Sequence, residues 1–224
     1  MKFAHKLLFL FLVAATAHAS NSNPDELRDK ILKDLKGNNL NVLYSDLEKK
    51  YGPPVVPTLA AILNDETQSD DIRWISLFGI ARLSGTENKG LYLRYLNHSS
   101  WMLRDAALKT IAALNLIDLR TEIENKLADS ALIVRTTAVD TIGHLNLKAS
   151  YPKLLFALSD KRNFSDADGN ARPLWIHKHI LKVLAATTHT AALPHIVEPL
   201  DAASGTGYRA AIFATRETIT DTAS

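Results

Sequence analysis

The chain has 224 residues, with 26 basic and 24 acidic side chains, a formal net charge of +2 and no cysteine. The lack of cysteine excludes disulfide bonds, thiol catalysis and thiolate metal sites. A charge this close to zero gives no electrostatic attraction to nucleic acid or to an anionic membrane, so neither is predicted as a partner.

Residues 1–19 have the features of a secretory signal peptide. Lys2 and Lys6 supply a basic start, residues 7–13 are an unbroken apolar run, and Ala17-His18-Ala19 fits the rule for cleavage after a small residue. The apolar run is too short to cross a bilayer. Removing the segment leaves 24 basic and 24 acidic residues. We therefore expect a neutral, exported protein cleaved after Ala19, and the lack of cysteine favours a bacterial periplasm.

Two amphipathic segments follow the signal peptide. The first, residues 24–36, opens with Asn23 as N-cap and Pro24 at the first helical position, and it closes at Gly37. The second covers residues 40–51 and ends at Gly52. Because neither follows the pattern of the later chain, residues 20–52 are interpreted as an N-terminal helical cap.

The central part of the chain repeats with a period of 31 residues. Arg73, Arg104 and Arg135 are evenly spaced, and apolar residues recur at the same offsets around each of them. This spacing places one apolar stripe along a helix. Each of these helices follows another amphipathic segment and a polar turn. A repeated helix pair buries its apolar face only by stacking, so residues 53–224 are predicted to form an all-α solenoid of about five pairs.

The segment Val134-Arg135-Thr136-Thr137-Ala138, with Asp129 before it, resembles the core of HEAT repeats, and the short period is similar to that of the phycobilisome-lyase type. The resemblance covers residues 53–220 and is strongest in the middle three repeats. It implies a superhelix whose concave face is formed mainly by the second helix of each pair. It implies binding and not lyase activity, because most such repeats serve as scaffolds.

The resemblance also implies a structural role for the repeated arginines Arg73, Arg104 and Arg135. In such repeats the arginine pairs with the aspartate of a turn and ties neighbouring units together. The carboxylates available for this role are Asp65 or Asp71, Asp129 and Asp160. Contact with a ligand is the alternative interpretation of these side chains.

The fourth repeat departs from the period. His177 stands where arginine is expected, and 11 additional residues fall within 160–174. A fifth, weaker repeat places Arg209, Ile212 and Phe213 at matching offsets.

The outward positions of the second helices are the first candidates for a binding surface. They lie one and five residues after the arginine column, and aromatic side chains beside charged ones suit a protein-binding surface. The candidates are Trp74, Phe78, Asp105, Lys109, Asp140 and Lys182. The alternative is that Trp74 and Phe78 pack against the N-terminal cap.

The insertion is the second candidate, because loops longer than a repeat needs are often functional. Its candidate residues are Phe164, Asp166, Asp168, Arg172 and Trp175. Asp166 to Asn170 resembles part of a calcium loop, but Phe164 occupies the place of the first ligand and no glutamate closes the loop. The alternative is that Phe164, Pro173 and Trp175 attach the loop to the body of the protein.

Four histidines, His177, His179, His189 and His195, cluster near the C-terminal end. His177 and His179 are two residues apart on a helix and therefore point in different directions. No metal and no cofactor is predicted. The sequence also has no phosphate-binding loop, no nucleophile elbow and no His-Glu-x-x-His motif.

The sequence therefore predicts a non-catalytic periplasmic adaptor that binds another protein or an extended peptide on the concave face of a solenoid. Two alternatives stay open. One is a small-molecule or metal-binding protein, possibly enzymatic, that uses the insertion and the nearby histidines. The other is a structural subunit of an envelope complex.

Overall fold

A computed structural model describes residues 23–36, 40–165 and 172–186 of the chain. The helices in these ranges are α1 Pro24–Leu35, α2 Leu40–Tyr51, α3 Val55–Asn64, α4 Asp70–Ser84, α5 Lys89–Leu96, α6 Trp101–Ala113, α7 Arg120–Asn125, α8 Leu132–His144, α9 Tyr151–Ser159 and α10 Ile176–Ala185. Short 3-10 turns lie at Gly85–Asn88, Ile117–Leu119, Lys126–Ala128, Lys148–Ser150 and Lys161–Asn163. The predicted all-α class is confirmed for the described residues. The predicted signal peptide and the fifth repeat lie outside them.

The first helix begins where its sequence predicts. The side chain of Asn23 accepts a hydrogen bond from the backbone N–H of Asp25 at 3.2 Å, and Pro24 occupies the first turn, where no backbone N–H is needed. Asp25 and Glu26 place negative charge at the positive end of the helix dipole. The helix ends at Leu35, one residue before the predicted end.

The two central repeat helices end in the same way. Asn115 and Asn146 follow α6 and α8 with φ of 53° and 51°, a left-handed conformation that asparagine tolerates better than most residues. The next backbone N–H groups, of Leu116 and Leu147, return to the carbonyls of Ile111 and Ile142 at 3.1 and 3.0 Å. The 31-residue period is therefore present in the backbone as well as in the sequence.

The repeat helices form two sets. The helices α3, α5, α7 and α9 are the first members of their pairs and contact α4, α6, α8 and α10, respectively. The second helices also contact one another in chain order, α4 with α6, α6 with α8 and α8 with α10. Their shared interior contains Ile80, Ile111 and Ile142, equivalent residues 31 positions apart that are all buried. Each buried aliphatic side chain contributes about 1.5–3 kcal/mol to stability.

Side-chain contacts also join successive first helices. Arg94 of α5 donates to the Asn64 side chain at the end of α3, at 2.8 Å. One unit later, Lys126 donates to the Asn97 side chain at 2.9 Å. Arg162 then donates to the carbonyl of Ala128 at 2.7 Å. Each unit thus contacts the turn of the unit before it.

Two glycines allow second helices to approach closely. A Cβ on Gly79 of α4 would lie 2.9 Å from the Tyr44 ring of α2, and one on Gly143 of α8 would lie 2.6 Å from a methyl group of Val183 in α10. Real Cβ atoms do not approach other atoms so closely. Glycine is therefore required for the α2–α4 and α8–α10 contacts as they stand.

The insertion begins and ends in a short antiparallel strand pair, which the sequence did not predict. Strand β1, Phe164–Ser165, pairs with β2, Arg172–Pro173. Residues 166–171 between them lie outside the described part of the chain. The base of the hairpin is fixed by a hydrogen bond from the Leu174 N–H to the Asn163 carbonyl at 2.8 Å.

A search for membrane-spanning helices, restricted to the residues with a described structure, finds none with the length and apolar character to cross a bilayer.

Candidate functional site

The repeated arginines are buried and lie between units. Arg104 of α6 binds Asp129 in the following turn with two parallel contacts, Nε to Oδ2 at 2.8 Å and Nη2 to Oδ1 at 2.7 Å. Its Nη1 donates to the carbonyls of His98 and Ser99 in the preceding turn. Burial alone would raise the pKa of Asp129, but the hydrogen bonds from Arg104 and from the Ala131 N–H lower it. Arg104 makes the contact that the resemblance implies.

Arg135 makes the same kind of contact without a carboxylate. Its Nε donates to the Oδ1 of buried Asn163 at 2.8 Å, and its other nitrogens donate to the carbonyls of Asp129, Ser130 and Arg162. The expected partner Asp160 binds the Arg162 side chain instead. The expected pairing with Asp160 is therefore wrong. The Asn163 amide oxygen accepts from Arg135 Nε as the Asp129 carboxylate accepts from Arg104 Nε one unit earlier. It takes this place because Asn163 lies at the start of the insertion.

Arg73 also differs from the expectation. Its Nε donates to the carbonyl of Leu63 at 2.9 Å, and its Nη2 lies 3.2 Å from Nε2 of His98. The expected partner Asp65 is instead bound by Arg28 of α1, and the carboxylate next to Arg73 is that of Asp70 and not that of Asp71. Burial and the nearby Arg73 charge lower the pKa of His98, which favours its neutral form beside the guanidinium.

His177 occupies the arginine column of the fourth repeat and is fully buried. Its Nε2 lies 3.0 Å from the carbonyl of Leu158 at the end of α9, as Arg73 contacts Leu63 at the end of α3. Burial lowers the pKa of the imidazole. This environment is that of a structural residue and not of a ligand-binding histidine.

The exposed sides of α4, α6, α8 and α10, with Tyr44 of α2, form the surface that we call the second-helix face. Trp74 and Phe78 of α4 lie on it, half-buried, with ring centroids 4.6 Å apart. Both pack partly against the core, and Phe78 shares a cleft with Tyr44 of the cap. Phe78 thus meets the alternative of packing near the cap, and a binding role for Trp74 and Phe78 stays a prediction.

Asp105 corrects one of the predictions. It was expected to face outward, but it is only 3% exposed. Its two carboxylate oxygens accept hydrogen bonds from the Thr137 hydroxyl of α8 at 2.6 Å and from Lys109 at 2.7 Å. The position faces the neighbouring helix because α6 lies between α4 and α8. Lys109 itself is exposed and covers the buried carboxylate.

The opposite end of the face carries Asp140 and Lys182, both exposed. Asp140 of α8 lies 2.7 Å from Nδ1 of His179 in α10, and the His179 ring meets the edge of Trp175. This Asp140–His179 contact bridges two successive second helices.

Three clefts follow the second-helix face and contain all six predicted binding residues. The aromatic cleft, about 450 Å³, is lined by Trp74, Ile75, Trp101, Met102, Asp105 and Lys109, among others. The arginine cleft, about 580 Å³, includes Tyr44, Phe78, Ala81, Arg82, Thr110 and Leu114. The histidine cleft, about 730 Å³, includes Asp140, His144, Asn146, His179, Lys182 and Val183.

Trp101 belongs to this surface and was not predicted. It is the first residue of α6, is 47% exposed, and lines the aromatic cleft with Trp74. The sequence signal was available, because a tryptophan that directly follows a capping serine and precedes the apolar stripe falls on the exposed first turn of a helix.

The predicted insertion residues are only partly described. Phe164 is half-buried with its ring edge against His177, Arg172 is exposed in β2, and Trp175 is 47% exposed. Asp166, Asp168, His189 and His195 lie outside the described residues. Within the described ranges no group of three histidine or carboxylate side chains is arranged to hold a metal ion.

No family model matches the chain, and no curated protein matches it at a significant level. The likeness to HEAT repeats therefore stays a prediction from the residues quoted above.

Proposed function

We propose that this protein is an exported, non-catalytic adaptor that binds an extended segment of another protein along the second-helix face. In this proposal the helix pairs of residues 53–224 stack as a HEAT-like solenoid behind the helical cap of residues 20–52. Residues 1–19 act as the signal peptide that directs the chain to the periplasm.

Contacts that recur from unit to unit support the solenoid. Second helices contact one another in chain order, and the Arg94–Asn64 and Lys126–Asn97 contacts tie each first helix to the preceding turn. The Arg104–Asp129 pair does the same for the second helices. Contacts between successive units are what a solenoid requires, because each of its repeats packs on its neighbours.

The observation that carries the binding proposal is that three clefts are lined mainly by residues of the second helices. A single extended chain bound along these helices can place side chains in more than one cleft. Tryptophan is enriched at the energetic centres of protein interfaces, and Trp74 and Trp101 flank one cleft with Met102 beside them. The mixed charges of Lys109, Asp140 and Lys182 then contribute specificity more than affinity.

Site-specific photocrosslinking tests the location of the face. A photoreactive phenylalanine analogue would replace Trp101 in one variant and Phe156 in another, and both would be irradiated in intact cells. Phe156 is a matched control because it is 75% exposed but lies on α9, a first helix. We expect a discrete crosslinked protein from position 101 that position 156 does not give. Equal crosslinking from both positions would contradict the proposed face.

A further inference from the structure

The arginine cleft contains a buried hydroxyl without a hydrogen-bond partner. Thr110 of α6 is 0% exposed, and its Oγ1 contacts no donor or acceptor among the described residues. At the equivalent position one unit later, Thr141 donates to the carbonyl of Thr137 at 2.7 Å. A buried hydroxyl that makes no hydrogen bond destabilises the protein, so an unsatisfied one beside a cleft points to a group that enters the cleft.

The same cleft holds a cation without a counter-ion. Arg82 of α4 is exposed, and it has no carboxylate partner in the part of the chain that the structure describes. It is also the single charged residue among the described lining residues of this cleft. By contrast, Lys109 in the aromatic cleft is already paired with Asp105. The planar guanidinium of arginine matches the two oxygens of a carboxylate.

The remaining wall is apolar. Phe78, Ala81 and Leu114 line it together with the ring of Tyr44. The Tyr44 hydroxyl donates to the Ile75 carbonyl at 2.8 Å, and burial raises its pKa. The hydroxyl is therefore neutral, and its hydrogen atom is already used in the bond to Ile75. Within the described residues, an unpaired cation, an unsatisfied hydroxyl and apolar walls together define a ligand with one negative charge and a hydrocarbon body.

We propose that the arginine cleft is a subsite for a carboxylate carried by an apolar group, with Arg82 binding the carboxylate and the buried Thr110 side chain rotating toward the cleft to supply a hydrogen bond. Two sources share this chemistry: the C-terminal residue of a bound peptide, and a free apolar carboxylic acid. The peptide version rests on the function proposed above, and the free-acid version does not. In the peptide version, the cleft fixes the direction in which the partner lies across the face.

Calorimetric titration with four probes tests the subsite. The probes are 3-phenylpropionate, its neutral amide, a short Gly-Ser peptide ending in phenylalanine with a free carboxylate, and the same peptide amidated. We expect binding of the carboxylate probes and about tenfold weaker binding of the amides, because an ion-paired hydrogen bond is lost. Equal binding of acids and amides, or no binding of either acid, would overturn the proposal.

Three variants assign the contacts. Arg82→Gln is expected to lower the affinity for the carboxylate probes about tenfold. Arg120→Gln, the same change on the first helix α7, is expected to leave that affinity unchanged. Thr110→Val is expected to weaken binding about threefold or more and to raise the melting temperature by about 2–4 °C, since it removes the unsatisfied hydroxyl. Unchanged affinity in Arg82→Gln would refute the assignment.

The probes also separate this proposal from the adaptor function. Binding of 3-phenylpropionate with the Arg82 dependence, but of neither peptide, supports the subsite with a free acid as its source. Failure of both carboxylates, while a crosslinked partner still depends on Trp101, refutes the subsite and leaves the adaptor function standing.

Discussion

The buried arginine column shows how one structural position accepts different partners. Arg104 uses the carboxylate of Asp129, and Arg135 uses the amide of Asn163 together with backbone carbonyls. In the fourth repeat the smaller His177 reaches the Leu158 carbonyl near the end of α9. What persists is a bond to backbone carbonyls at or just after the end of the first helix of the pair, namely those of Leu63, of His98 and Ser99, of Asp129 and Ser130, and of Leu158.

Loss of Arg135 should cost more stability than loss of an exposed arginine. Arg135→Ala leaves the Asn163 Oδ1 and three backbone carbonyls without this donor in a buried site, so we expect a loss of about 3 kcal/mol in the free energy of unfolding. Urea denaturation measures the change. Arg120→Ala, at an exposed arginine of α7 that approaches Glu124 only to 3.9 Å, is the control and should change stability by about 0.5 kcal/mol or less. Similar losses in both variants would refute a structural role for the column.

The Asp129–Arg104 pair should make stability depend on pH. The folded-state pKa of Asp129 is lowered, so its contribution is complete above the ordinary aspartate pKa of about 3.9 and is lost as the pH falls through the lower folded value. Asp129→Asn should therefore be less stable than the wild type by about 2 kcal/mol at pH 7.

This difference should shrink as the pH falls below about 4, because the carboxylate of the unfolded chain then takes up a proton while the paired carboxylate of the folded protein does not, and it disappears once the folded-state carboxylate is protonated as well. Urea denaturation at a series of pH values measures it. A difference that stays constant down to a pH of about 2 would show that the charge of Asp129 contributes nothing.

Single residues also mark what the sequence could not predict at this scale. Asp105 has the position of an outward residue on an amphipathic helix, but its partner Thr137 lies 32 residues away on α8. Its burial depends on the contact between the two helices, which periodicity along one helix does not report. Trp101 was not predicted for a different reason: it lies in the first turn of α6, outside the two columns that follow each arginine by one and five residues.

At the scale of elements, two close helix contacts depend on glycine, one between α2 and α4 and one between the second helices α8 and α10. Gly143→Ala should destabilise the protein by about 1–3 kcal/mol, because the new Cβ would lie 2.6 Å from Val183. Thermal or urea unfolding measures this loss. In a Val183→Ala background, Gly143→Ala should cost less stability than it does in the wild type, because the methyl groups that the new Cβ would meet are then absent.

Gly90→Ala in α5 is the matched control, because, apart from its chain neighbours and the backbone of its own helix, no described residue has an atom within 4 Å of the position that a Cβ would take there. At Gly90 the substitution should stabilise the helix by about 0.5–1 kcal/mol. Equal effects at the two glycines would mean that α8 and α10 do not approach as closely as described.

The helices α4, α6 and α8 were largely predictable because the arginine, the apolar stripe and the polar turn before them recur every 31 residues. The cap helices were predictable from Asn23, Pro24 and the glycines that follow them. The β1–β2 hairpin was not, since two-residue strands carry no periodicity and their pairing is set by residues that the insertion brings together. For the candidate binding surface, the sequence predicted which helices contribute to it but not the clefts. Their depth depends on how α4, α6, α8 and α10 pack.

At the scale of the whole molecule, the adaptor proposal rests on the clefts of the second helices. Arg82 and Lys182 line two of these clefts and have no carboxylate partner among the described residues, whereas Lys109 is paired with Asp105. In the proposal, a partner chain bound to the second-helix face contacts the aromatic, arginine and histidine clefts.

The most direct test measures the affinity of purified protein for the partner captured from position 101. Wild type, Trp74→Ala/Trp101→Ala and the control Phe156→Ala would be compared by titration, with far-UV circular dichroism to confirm that each keeps its helical content. We predict at least about a hundredfold loss of affinity in the double variant, since two interface tryptophans each contribute about 2 kcal/mol, and no change in the control. Unchanged affinity in a folded double variant would contradict the claim that the second-helix face is the binding surface.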